Sequence, residues 1–217
     1  MSSHFHEPVL HATKIVDLRP TQLTVGMREV RAKRLAWRQR QVGQFEQYLS
    51  AHMVPAIAGP GGKRYLIDHH HLTLALLKEG VESVFVSLVA DFSRLDEDSF
   101  WNLMDFRGWT HPFDAKGRRQ SWKKLPRSVD RLEDDPYRSL AGELRNIGGF
   151  AKDSTPFSEF VWADFFRRRI EVKQLEDHFE EALAKALELA RSQEADYLPG
   201  WCAAHTKKGK KTAVVAK

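Results

Sequence analysis

The sequence predicts an α+β fold: an N-terminal α/β domain over residues 13–92, then a mostly helical extension over residues 93–200. Three observations carry this. Up to Asp91, short β-type runs alternate with helical spacing in the order β-α-β-β-α-β. Beyond Asp91 the apolar residues recur only at helical spacing. Six Trp and thirteen Phe among 217 residues supply rings for a core, which chains without a fold rarely carry. A loose arm (1–12) and a basic, disordered tail (201–217) are expected to flank the two regions.

Lys14 to Leu18 reads as the first strand, stopped by Pro20. Gly26 precedes a long helix expected from Arg28 to His52, with Val30, Arg34, Trp37, Gln41, Phe45 and Tyr48 at helical spacing. Met53–Ala58 and Arg64–Asp68 are strand runs joined by Gly59-Pro60-Gly61-Gly62, a strong turn signal. His69–Lys78 is a short helix, apolar on most sides and so buried, closed by Gly80. Ser83–Val89 is the next strand. The bare order also fits a ferredoxin-like split βαβ. Helices follow at Leu95–Phe106 and at 136–147, around an irregular basic stretch over 107–127. Another is expected to begin at Thr155-Pro156, with Phe157, Phe160, Val161 and Phe165 as its core stripe. The Arg167-Arg168-Arg169 run marks a break before a last helix to Ala195.

No run approaches the roughly 18 apolar residues a membrane helix needs, and the N-terminus lacks the pattern of a secretory signal. Cys202 is the single cysteine, which excludes an internal disulfide and any Cys-based zinc cluster, and makes a reducing cytoplasm the expected compartment. The net charge of +5 suggests nucleic acid, but its location weakens that argument. The last eleven residues hold five lysines and no acid, so the rest balances at 29 against 29. Two internal stretches are basic: residues 28–40 and residues 106–127. The second interleaves Trp109 and Trp122 with lysines and arginines, a pattern that fits stacking plus phosphate contact as well as a loop packed down by its rings.

The chemistry centres on Asp68-His69-His70-His71, where a strand ends and a helix begins. A carboxylate there can cap the helix, and the remaining first-turn N–H groups suit a phosphate. The histidines add donors and groups that titrate near neutrality. The alternative is structural, with Asp68 a plain cap and the imidazoles satisfied inside the fold. Metal binding is the weaker reading, because His69 and His71 do not face each other on a helix and ligands such as Asp17, His111 or Asp114 would have to join them. No tightly bound metal is expected; Mg2+ would arrive with a nucleotide.

A first strand followed by Leu18-Arg19-Pro20-Thr21-Gln22, a hairpin, and Tyr65-Leu66-Ile67-Asp68-His69-His70-His71 resembles the ParB/sulfiredoxin superfamily, whose members hold phosphate with a D-G-H-H-R-like element at such a junction. The stand-alone "ParB-like nuclease" branch, with its D-x-H-H element, is the most similar, and Asp135–Gly142 and Glu159–Asp164 extend the likeness. The resemblance implies an α/β fold over residues 13–92. It also implies phosphate binding with Asp68, His70 and His71 as catalytic residues, and Arg19, Thr21, Gln22, Lys33 and His69 as phosphate or nucleotide ligands. Glu29, Arg64, His111 and Asp114 are secondary candidates, and Arg19, Arg64, Lys33 and Arg34 are candidates for the phosphate-holding cation. His69 stands at the family's glycine position and Leu72 at its arginine position, so the phosphate-holding arginine must come from elsewhere. The element has no cysteine, which excludes sulfiredoxin chemistry. Thr21-Gln22 follow Pro20 and the nearest acid is Glu29, which disfavours a serine-type kinase, and no helix-turn-helix supports centromere partitioning.

The expected activity is therefore phosphodiester or phosphoanhydride hydrolysis by a nuclease or nucleotide hydrolase, with a nucleotide or nucleic acid as partner. The alternatives are a non-catalytic nucleotide-sensing or DNA-associated adaptor, which could form a homo-oligomer through the helical extension, and a small-molecule kinase.

Overall fold

A computed structural model describes residues 11–41 and 43–202. Its main sheet has five strands in the order β1-β6-β4-β5-β2. These are β1 (His11–Lys14), β2 (Leu18–Arg19), β4 (Val54–Ala58), β5 (Arg64–Leu66) and β6 (Ser83–Asp91). The pairs β1–β6 and β4–β5 are antiparallel, whereas β4–β6 and β2–β5 are parallel, an arrangement unlike the antiparallel ferredoxin-like sheet. The strand expected over Lys14–Leu18 is two strands on opposite edges of the sheet. A 3-10 turn, Ile15–Asp17, lets the chain cross between them. His11 and Ala12, expected in the loose arm over 1–12, instead pair with Val86 and Phe85, and residues 1–10 lie outside the described residues.

Alternation along the strands sorts side chains onto two faces. Val54, Ala56, Leu66, Val84 and Val86 face a core completed by α1 (Met27–Arg38) and α3 (His70–Lys78). Ile57 and Tyr65 face the other side, against Phe100, Trp101 and Met104 of α4 (Glu97–Phe106). Asp96 caps α4 by accepting the Ser99 N–H at 2.9 Å. The long helix expected over 28–52 is two helices, α1 and α2 (Phe45–Ala51), because Gly43 takes a φ of +104° that no helix contains. Trp37 then stacks on Phe45 at 4.6 Å as α2 folds back.

The helical half comprises α5 (Pro136–Asn146), α6 (Ser158–Arg167), α7 (Val172–Asp177) and α8 (Phe179–Arg191) around Leu140, Leu144, Phe150, Trp162 and Phe166. Asp135 caps α5, with Pro136 in its first turn. Helix α6 starts later than expected. Asp153 accepts the Thr155 N–H at 2.7 Å in a turn, Pro156 stays outside the helix, and Phe157 sits in left-handed backbone just before it. Of the expected core stripe, Phe160 and Phe165 are buried but Val161 is exposed. The expected last helix breaks at His178 into α7 and α8. Trp201 packs on this core and donates to the Ser192 carbonyl at 3.2 Å, so it belongs to the fold and not to the tail; residues 203–217 lie outside the described residues.

The halves are stitched together. Strand β3 (Thr24–Val25) pairs in parallel with β7 (Glu133–Asp134), Gln22 bridges to His111, and α1 lies against α5.

Candidate functional site

A cavity of about 640 Å³ opens where the first turn of α3 meets α1, α5 and the segment leading into α6. Its wall includes Asp68, His69, His70 and His71, together with Gln22, Glu29 and Lys33. Seven of the residues singled out from the sequence thus come together.

The start of α3 is built differently from a simple cap. The N-cap is His69, and its φ of +64° is left-handed. Asp68 is exposed, and its Oδ1 accepts the His69 N–H at 2.6 Å, ahead of the helix. The expectation that Asp68 caps the first-turn N–H groups is therefore corrected: the carboxylate fixes the bend that precedes them. The backbone at position 69 also accounts for the D-G-H-H-R form, because glycine takes a positive φ freely and histidine takes it at a cost.

His70 and His71 point inward and each holds a loop. The Thr21 N–H donates to His70 Nε2 at 3.1 Å, and the Gly26 N–H donates to His71 Nε2 at 3.0 Å. Both rings must be neutral at Nε2 to accept these bonds. Burial agrees, pushing His70 down to about 4 and holding His71 well below its usual value, with Arg138 adding to the effect on His71. His69 is half-buried at the rim. Burial lowers it and the Asp68 carboxylate opposes that shift.

Opposite α3, Arg138 projects from α5 and is buried. Its Nη1 lies 3.3 Å from Glu29 Oε2, yet Nε and Nη1 of Arg138 and Oε2 of Glu29 have no hydrogen-bond partner. Glu29 also faces Lys33 Nζ at 3.4 Å and His71 Nε2 at 3.6 Å. Burial pushes the guanidinium down from its usual range while Glu29 and Asp135 pull it back up. Gly142, one turn along α5, makes the space, because a Cβ there would lie 3.1 Å from Arg138 Nη1. Arg145, Lys152 and Arg107 add positive charge around the cavity, and Tyr48, Trp109, Phe157 and Phe160 supply flat apolar wall. Arg145 pairs with Glu159, which is also at the wall.

Other predicted residues lie elsewhere. Thr21 is buried, and its hydroxyl donates to the Leu66 carbonyl. Arg19 sits on the edge strand β2 beside a separate groove. Arg64 Nη1 donates to Thr13 Oγ1 at 2.8 Å. Arg34 pairs with Glu79 at 2.6 Å. His111 lies among Phe113, Phe157 and Phe160, and with Asp114 it lines a smaller cavity of about 290 Å³. Asp114 accepts the Lys116 and Arg118 N–H groups and so shapes a turn.

Arg138, Arg145 and Lys152 were not singled out in the sequence. The available signal was a stripe on one helix: Arg138, Gly142 and Arg145 fall at i, i+4 and i+7 behind the Asp135 cap. An arginine on the buried side of an amphipathic helix needs an anionic partner, and that requirement is the physical cue.

Comparison with known proteins agrees with this architecture. A search of curated proteins finds no match. Among solved structures, the crystal structure of protein Atu1540 from Agrobacterium tumefaciens is 53% identical, with a TM-score of 0.84, covering 91% of this chain and 100% of that one. The family model described as "Putative ParB-like nuclease" matches residues 11–168. That span takes in the sheet, the Asp68–His71 junction and the Arg138 helix, and the chain belongs to this ParB-like family.

Proposed function

We propose that the cavity binds the phosphate of a nucleotide or of a nucleic-acid terminus, and that the protein is a nuclease or nucleotide hydrolase working at the Asp68–His71 junction. The observation that carries this reading is Arg138: a buried guanidinium whose Nε has no hydrogen-bond partner and whose Nη1 is met only by Glu29 at 3.3 Å, facing the first turn of α3 across a cavity that Lys33, Arg145 and Lys152 also line. A buried donor without a partner is costly, and an anion seated between Arg138 and the α3 terminus would satisfy the free guanidinium N–H and the first-turn N–H groups together. The aromatic wall offers a surface for a base.

In this reading His70 and His71 are positioning residues. They clamp the Thr21 and Gly26 loops and so fix α1, which carries Glu29 and Lys33. Lys33 and Arg138 neutralise phosphate charge as it develops. Asp68, exposed at the rim, is the group placed to take a proton from an attacking water, with the half-buried His69 beside it. Asp68 uses only Oδ1 in its hydrogen bond, so Oδ2 is open to an Mg2+ carried in with a nucleotide. Such an ion would withdraw charge from the phosphate oxygens.

A non-catalytic nucleotide sensor is the second reading. It is favoured by one feature: both inner imidazoles are spent on backbone N–H groups, which leaves few groups for proton transfer. The two readings separate by assaying phosphate release from nucleotides and from bis(p-nitrophenyl) phosphate with Mg2+. Hydrolysis that falls by about 100-fold or more in Asp68→Asn, with ligand binding retained, supports the enzyme. Binding without turnover supports the sensor, and a protein that neither binds nor hydrolyses contradicts both.

A further inference from the structure

Arg19, placed among the phosphate ligands from sequence, lies on the edge strand away from the cavity, yet its surroundings form a second site. A groove of about 540 Å³ runs past Arg19, Lys63, Trp122, Lys123 and Arg127. It continues through Arg19 and Lys63 into a neighbouring depression of about 430 Å³ that includes Arg64 and one acid, Asp17. Among the described residues, Arg19, Lys123 and Arg127 have no carboxylate within ion-pair distance, whereas Lys63 faces Glu97 at 3.5 Å. The groove wall also holds a ring stack: Trp122, half-buried, lies nearly parallel to Trp101 at 5.6 Å, and the Lys123 ammonium sits 5.4 Å from the Trp122 ring. The 3-10 turn Trp122–Lys124, capped by Ser121, holds indole and lysines in fixed relation.

Cations along a groove, of which Arg19, Lys123 and Arg127 face no carboxylate, with a half-buried indole among them, match a ligand carrying regularly spaced negative charges and flat rings. Single-stranded nucleic acid has that chemistry; a duplex hides its rings and an acidic peptide lacks them. We propose that this groove, from Arg64 through Arg19 and Lys123 to Arg127, is a track for single-stranded nucleic acid. It is separate from the α3 cavity, and it does not depend on the hydrolytic reading of that cavity.

The test is fluorescence anisotropy of a labelled oligonucleotide of about 12 residues on the full chain, between about 50 and 200 mM salt. The variants are Arg19→Glu, Lys123→Glu/Arg127→Glu and Trp122→Phe, each with its melting curve. A further full-length variant replaces lysines 207, 208, 210 and 211 by glutamine. The proposal expects the charge reversals to weaken binding about tenfold or more and flatten its salt dependence. Trp122→Phe should keep most of the affinity, and nucleotide-induced stabilisation at the α3 cavity should be unchanged in every groove variant. Equal binding by the reversals and wild type, or loss of binding only in the lysine-to-glutamine variant, would overturn it. So would a duplex or poly-glutamate binding as tightly as the single strand, or no binding by the wild type at the lower salt.

Discussion

Two imidazoles decide much of the behaviour of this fold at the scale of single residues. His70 is held at about 4 and His71 well below its usual value, while in the unfolded chain both titrate near 6.5. Between those limits the unfolded state binds more protons than the native one, so acid favours unfolding. Their contribution to stability is fully present above pH 6.5 and is lost as the pH falls toward 4, roughly 3 kcal/mol for His70 alone. His111, lowered to about 3, acts in the same direction. Urea midpoints measured from pH 7 to pH 4 should show the drop, and His70→Gln should start lower but fall less steeply. His69 presents the opposite case. Its left-handed φ makes His69→Gly neutral to stabilising, by about 1 kcal/mol or less, while the substitution removes the rim imidazole. A rise in melting temperature together with a loss of phosphate release would place the strain at the working site. A fall in melting temperature would contradict that account of position 69.

At the scale of elements, α5 is the scaffold that positions Arg138. Gly142→Ala should improve helix propensity by about 1 kcal/mol yet crowd Nη1, so ligand affinity falls while the melting temperature holds or rises. Calorimetry paired with a melting curve reads both. Gly26 is a different case, because a Cβ there would sit 2.9 Å from the Ser139 N and Oγ. Gly26→Ala should cost about 1–3 kcal/mol by separating α1 from α5 and drawing Gly26 N–H away from His71. Elements were legible in the sequence where the chemistry was local. The Gly59–Gly62 turn between strands, the apolar helix after Asp68, the alternating strand Ser83–Val89 and the Asp135-Pro136 helix start all follow from spacing and capping. Boundaries failed where distant pairing ruled. The break at Ile15–Asp17 follows from the destinations of β1 and β2, on opposite edges of one sheet. The loops bound by His70 and His71 lie 49 and 45 residues away along the chain.

For the whole molecule, the change in character at residue 92 is a change of secondary structure across a continuous site. The cavity draws α3 and Lys33 from one side and Arg138, Arg145 and Phe160 from the other. A fragment ending at residue 92 would leave β3 without β7, and Glu29 without Arg138. It is expected to be poorly folded by circular dichroism; a cooperatively folded fragment would show that the halves are independent. The same continuity explains why Asp68–His71 stood out in the sequence and Arg138 did not: the first is one contiguous motif, while the second shows only as a weak stripe on one helix and becomes a site residue when two halves meet.

The most direct test of the phosphate site is a thermal-shift titration of wild type and Arg138→Met with inorganic phosphate and with ATP, ADP, CTP and GTP, with and without Mg2+. A ligand that binds only the native state raises the melting temperature, by an amount equivalent to about 2.7 kcal/mol at a hundredfold excess over its Kd. Stabilisation of the wild type by at least one of these ligands, with the shift abolished in a folded Arg138→Met, is the expected result. An equal shift in both proteins, or none in either, would mean that Arg138 and the start of α3 do not form a phosphate site.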